Sequence, residues 1–121
     1  MPRTALIVDD STSMRQMIAH TLSSAGFQVT QAANGQDALA TLTSARPDVI
    51  ITDLNMPVMD GLTFIKKARA LPVSKFTPIL MLTTESQDSK KQEGKAAGAT
   101  GWLVKPFDPQ QLLQVVKKVV P

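Results

Sequence analysis

Three short stretches of the chain are apolar at nearly every position: Ala5-Leu6-Ile7-Val8, Val49-Ile50-Ile51-Thr52 and Ile79-Leu80-Met81-Leu82. Each has the length of a strand and is bounded by polar residues or proline. This pattern predicts strands buried on both faces, as in a parallel sheet covered on both sides. Gln28-Val29-Thr30-Gln31-Ala32 alternates instead, which places it at an edge. Trp102-Leu103-Val104, entered through Gly101 and cut off by Pro106, reads as a fifth strand.

Between these runs the period changes to that of a helix. Met14, Met17, Ile18, Thr21, Leu22 and Ala25 share one face, and Gly26 is a suitable C-terminal stop. Ala38, Leu39 and Leu42 mark a second helix, and Leu62, Ile65 and Ala68 a third. Leu112, Leu113, Val116, Val119 and Val120 mark the last, opened by Pro109, a favourable first-turn residue. The helix expected over Gln87–Ala97 is mostly polar, and Gly94 inside it costs about 1 kcal/mol relative to alanine. The order βαβαβαβαβα with short connections implies a parallel α/β sheet with right-handed crossovers and helices on both faces. There is no internal repeat or linker, so a single domain is expected over 1–121.

The bulk composition narrows the class. The chain has 121 residues, 43% hydrophobic and 19% charged, as in an ordinary globular domain. It has no cysteine, which removes disulfides and thiolate metal sites. No apolar run approaches the roughly 18 residues of a membrane span, and the run after Met1-Pro2-Arg3-Thr4 is too short for a signal peptide. A cytoplasmic protein without membrane attachment is expected. The net charge of +3 could suggest nucleic acid, but Lys66-Lys67, Lys90-Lys91 and Lys117-Lys118 are dispersed and read as solvated helix faces. No nucleic-acid partner is expected.

Open α/β sheets bind ligands beyond the carboxyl ends of their strands. Strand one is followed by Asp9-Asp10, strand three by Asp53, strand four by Thr83-Thr84 and strand five by Lys105. Two carboxylates about 5 Å apart repel by roughly 3 kcal/mol at an effective dielectric of 20. Three together require cationic compensation, and Lys105 supplies only part of it. All-oxygen donors suit Mg²⁺. The only histidine, His20, falls mid-helix, so zinc or copper is not expected. A metal-bound carboxylate beside a hydroxyl and an ammonium is arranged for phosphoryl transfer, with Asp53 as nucleophile and Thr83 and Lys105 on the phosphoryl oxygens. Each residue alone has a plainer reading: Asp10 or Ser11 could simply cap the first helix.

These residues resemble the motif set of response-regulator receiver domains, over nearly the whole chain. The set comprises Asp9-Asp10, Asp53-Leu54-Asn55-Met56-Pro57, Asp60-Gly61, Thr83-Thr84-Glu85, Gly98-Ala99 and Lys105-Pro106-Phe107. The resemblance implies a flavodoxin-like doubly wound (βα)5 fold, with a five-stranded parallel sheet in the order 2-1-3-4-5. That order comes with the family; the hydrophobic pattern alone leaves it open. The resemblance implies phosphorylation on Asp53, and Mg²⁺ held by Asp10, Asp53 and the Asn55 backbone carbonyl, with Asp9 acting through water. It further implies a cis bond before Pro106, and a switch in which Thr83 moves and the residue at Trp102 repacks. Trp102 could equally be packed at an edge strand for its bulk alone.

Among receivers the chain is most similar to the single-domain chemotaxis type. No DNA-binding output domain is expected after Pro121, and the chain pairs Asn55 with Glu85, positions that tune phosphoaspartate lifetime in the family. The implied partners are a histidine kinase of the CheA type, a flagellar motor switch protein of the FliM type and a phosphatase. A monomer that turns over nothing but its own phosphoaspartate is expected. Alternatives within the family are a phosphate sink or a stand-alone receiver in another phosphorelay. Outside it stand two others. An aspartate-nucleophile phosphatase would need a second Asp where Asn55 stands. An FMN binder would have its phosphate repelled by Asp9-Asp10.

Overall fold

The structure is a computed structural model that describes residues 3–54, 56, 58–84 and 88–120, with the side chains of 88–90 left aside. Five parallel strands run β1 (Thr4–Val8), β2 (Gln28–Ala32), β3 (Val49–Asp53), β4 (Ile79–Thr83) and β5 (Gly101–Val104). Their order in the sheet is β2-β1-β3-β4-β5, the flavodoxin-like arrangement that the motif set implied. Five helices alternate with them: α1 (Thr12–Ser24), α2 (Gly35–Ala45), α3 (Gly61–Ala70), α4 (Asp88–Ala97) and α5 (Pro109–Val119). No described helix is long and apolar enough to cross a membrane.

The period-2 alternation of strand side chains divides the core into two layers. Leu6, Val8, Ile50, Ile79 and Met81 face α2, α3 and α4, where Ala38, Leu42, Phe64, Ile65, Ala68 and Ala97 close the cluster. Ala5, Ile7, Val49, Ile51, Leu80 and Leu82 face α1 and α5, against Ile18, Leu22, Leu112 and Val116. The three apolar runs are thus central strands filled from both sides, while the polar face of β2 is at the edge.

The helix ends are set by local hydrogen bonds. Ser11, Asn34, Asp60 and Asp108 each accept a backbone N–H of the helix they open, and Asp108 with Gln111 completes a capping box with Pro109 in the first turn. α1 stops where expected: the N–H of Gly26 bonds Ser23 and that of Phe27 bonds Leu22, with Gly26 at φ +97°, a Schellman ending.

Gly94 has a reason that composition hides. A Cβ there would come within 2.6 Å of the Met81 methyl and 2.7 Å of its sulfur, so the glycine lets α4 lie directly on β4. The end of α4 is tied by Arg69 of α3, whose Nε donates to the Gly98 carbonyl at 2.9 Å and whose Nη1 donates to the Ser74 carbonyl at 2.8 Å. Burial pulls this guanidinium below its ordinary pKa.

Candidate functional site

The strand order reverses between β1 and β3, and the carboxyl ends of β1, β3, β4 and β5 meet at one rim. Asp9 follows β1, Asp53 ends β3, Thr83 ends β4 and Lys105 follows β5. Asp9 and Thr83 are fully buried and Asp53 nearly so, while Asp10 is exposed. The three carboxylates each place an oxygen within 4.8 Å of the others. Lys105 Nζ lies 3.2 Å from Asp53 Oδ1 and 3.6 Å from Asp9 Oδ2.

Local backbone chemistry aims these groups. Ser11, not Asp10, caps α1, its Oγ accepting from the Met14 N–H at 3.3 Å. The plainer reading of Asp10 as a helix cap is therefore replaced by one that leaves its carboxylate at the rim. Asp9 Oδ1 accepts the Ser11 N–H at 2.9 Å, which turns the side chain back under the loop. Asp53 Oδ1 accepts the N–H of Leu54 at 2.9 Å. The Gly61 N–H donates to the Leu54 carbonyl at 2.8 Å, which brings the start of α3 against the end of β3. A Cβ at Gly61 would run into the Asp53 carbonyl, so only glycine allows α3 to begin this close to the acidic cluster. Lys105 is held by its own N–H on the Thr83 carbonyl at 2.8 Å, just before the cis bond to Pro106.

The electrostatics are those of an incomplete site. Burial lifts the Asp9 carboxyl above its ordinary pKa, and the Asp53 charge adds to the effect, against the lowering by Ser11 and Lys105. Asp9 Oδ2 is buried and has no hydrogen-bond partner, and Lys105 Nζ at 3.6 Å is too far to supply one. Three carboxyl groups share the rim with one lysine, so acidic groups outnumber basic ones there. A hard divalent cation fits this donor set: the ligands are oxygens, one buried oxygen lacks a donor, and the exposed side of Asp10 admits the waters that Mg²⁺ retains.

The remaining expectations distribute unevenly. Trp102 stands at the surface, 37% exposed, with Lys91 Nζ of α4 at 5.4 Å from its ring centre. His20 is an exposed residue of α1. Asn55 and Glu85, with the carbonyl ligand and lifetime roles expected for them, lie outside the described residues, as does Gln87 at the expected start of α4. One site neighbour went unread in the sequence: Arg15 of α1, whose Nη1 donates to the Asp9 carbonyl at 2.6 Å. Nothing in its spacing separates it from a solvated surface cation.

Residues 5–117 match the response regulator receiver domain family. The chemotaxis protein CheY1 of Helicobacter pylori is 42% identical over 117 residues, covering 95% of this chain and 94% of that protein. Among solved structures, the chemotaxis response regulator CheY4 of Vibrio cholerae is 58% identical with a TM-score of 0.95, covering 98% of this chain and 99% of that one. The receiver domain of the sensor histidine kinase PA1611 of Pseudomonas aeruginosa, described with a magnesium ion coordinated in its active-site cleft, is 28% identical. Its TM-score is 0.91, and the match covers 99% of this chain and 98% of that one.

Proposed function

The chain belongs to the response regulator receiver domain family, as a CheY-like receiver of two-component signalling, and from that premise we propose that Asp53 is its phosphorylated residue. An Asp53 carboxylate oxygen forms a bond to the phosphorus of a phosphohistidine on a partner kinase. The P–N bond breaks, and its electron pair returns to the imidazole. Later attack by water on the phosphorus breaks the acyl-phosphate P–O bond and restores the carboxylate. The observation that carries this reading is Lys105 Nζ at 3.2 Å from Asp53 Oδ1, an ammonium poised where phosphoryl oxygens would gather charge.

Asp10 and Asp53 would hold Mg²⁺ directly, with Asp9 acting through water. When bound, the ion supplies charge neutralisation for the phosphoryl oxygens. The Thr83 hydroxyl donates to one of those oxygens. Its displacement couples the rim to Trp102 and α4. The chain performs no turnover beyond its own dephosphorylation. A generic phosphate ester hydrolysed at a steady rate would favour an aspartate-nucleophile phosphatase instead.

The output face is α4, β5 and α5, where Lys91 and Lys95 flank Trp102 in a cleft of about 280 Å³. A kinase of the CheA type in the cytoplasm is the proposed donor, and a flagellar motor switch protein of the FliM type the proposed reader. The test is a pull-down with the beryllofluoride-activated protein against an Asp53→Asn variant. Retention of a motor switch protein by the activated form alone supports the motor assignment. Equal retention by both forms contradicts it.

A further inference from the structure

The peptide that joins the two leading aspartates is held from outside the acidic cluster. Arg15 Nη1 donates to the Asp9 carbonyl at 2.6 Å, and Nη2 reaches Thr12 Oγ1 at 3.4 Å. The side chain is half-buried on the first turns of α1. Helix electrostatics does not account for it, because the amino end of a helix disfavours a cation and α1 has no acidic residue in its first turn.

The hydrogen bonds of Asp9 give the arginine a purpose. The Asp9 N–H donates to the Ala32 carbonyl at 3.2 Å, and its Oδ1 accepts from Ser11. The carbonyl takes the charge-assisted bond from Arg15. Three of the residue's four polar groups are thus occupied, and Oδ2 alone faces the rim without a hydrogen-bond partner. The peptide group is planar, so fixing the Asp9 carbonyl also fixes the direction in which the chain leaves through the Asp10 amide. The point from which the Asp10 side chain starts is thereby held, leaving its own φ and χ rotations to bring the carboxylate to the rim.

We propose that Arg15 is a positioning residue for the cation site: by clamping the Asp9–Asp10 peptide it sets both carboxylates against Asp53 before the ion arrives. The inference rests on the Mg²⁺ reading above and adds a residue to it. Its sign is unusual. Removing a positive charge near a cation site, by Coulomb's law alone, tightens cation binding. Loss of the clamp weakens it.

Calorimetric titration of the metal-free protein with MgCl₂ separates the two. Arg15→Gln is expected to bind Mg²⁺ about tenfold more weakly than the wild type, the low end of the range for outer partners of metal ligands. Arg15→Lys, which keeps one donor, recovers part of the loss. Lys66→Gln, which removes an exposed cation of α3, binds as the wild type does. Arg15→Gln binding Mg²⁺ as well as or better than the wild type overturns the inference. So does equal weakening by Lys66→Gln. A wild type that takes up no Mg²⁺ overturns the metal reading itself, and this inference with it. If thermal unfolding shows Arg15→Gln to be unfolded, Arg15→Lys alone decides: two- to threefold weaker binding supports the clamp, and unchanged binding overturns it.

Discussion

Lys105 Nζ sits 3.2 Å from Asp53 Oδ1, an ammonium from the end of β5 against a carboxylate from the end of β3, two strands away in the sheet. Replacing it by an uncharged chain of similar length removes the sole ammonium within salt-bridge distance of Asp9 and Asp53 among the described residues. Lys105→Met is expected to destabilise the metal-free protein at neutral pH by about 2 kcal/mol, because carboxylates inside the rim lose their partner. It should bind Mg²⁺ more tightly than the wild type, and saturating Mg²⁺ should restore most of the stability. Phosphoryl uptake should nonetheless fall. Denaturant titrations with and without Mg²⁺ check the first two, and labelling from acetyl phosphate checks the third.

Asp9 gives the pH dependence. Burial raises its folded-state pKa above the ordinary 3.8, so the folded protein holds this proton more tightly than the unfolded chain. The contribution to stability is favourable below about 3.8 and is lost as pH rises through the higher folded value. Above that value the ionised carboxylate is a standing penalty. Metal-free Asp9→Asn is therefore expected to be more stable than the wild type at pH 7, with the advantage vanishing at low pH where both side chains are neutral. Mg²⁺ should reverse the ranking at pH 7. Denaturation midpoints of the two proteins across pH, with and without the ion, check the sign.

Val58 occupies φ +73° and is 76% exposed. A β-branched residue is strained in that region and gains nothing here from burial. Val58→Asn, which tolerates the left-handed conformation, is expected to stabilise the protein by about 0.5–1 kcal/mol. Chemical denaturation measures it. A loss of stability would show that the valine side chain makes a contact the exposure does not reveal.

Trp102 is the sole tryptophan, and Lys91 stands 5.4 Å from its ring centre. An exposed cation–π contact contributes about 0.5–1 kcal/mol, which would favour the surface position of the ring. Beryllofluoride with Mg²⁺ is expected to change the tryptophan fluorescence. Lys91→Met should lower the beryllofluoride midpoint about two- to fivefold. Unchanged fluorescence on activation would mean that Trp102 is packing alone and carries no signal.

These residues also show what a linear reading can reach. Ala5–Val8, Val49–Thr52 and Ile79–Leu82 announce central strands because burial on both faces leaves Thr52 as the one polar position among them. Asp9, Asp10, Asp53, Thr83 and Lys105 converge because strand ends in a parallel sheet share one rim. Cross-chain geometry stays hidden. Gly94 looks like a flaw in a helix until Met81 is seen beneath it. Arg15 and Arg69 look like surface cations, because their shortest hydrogen bonds go to backbone carbonyls, which carry no sequence signal. Ser11 and Asp10 are equal candidates for the cap of α1 by residue type, and only the Met14 N–H on Ser11 separates them.

The central claim is that Asp53 accepts the phosphoryl group, and intact-protein mass measurement after incubation with acetyl phosphate and Mg²⁺ tests it most directly. The wild type is expected to gain one phosphoryl group, and to lose it on standing in Mg²⁺. Asp53→Asn, folded to the same extent, should gain none. An Asp53→Asn protein that takes up the label as the wild type does would contradict the account.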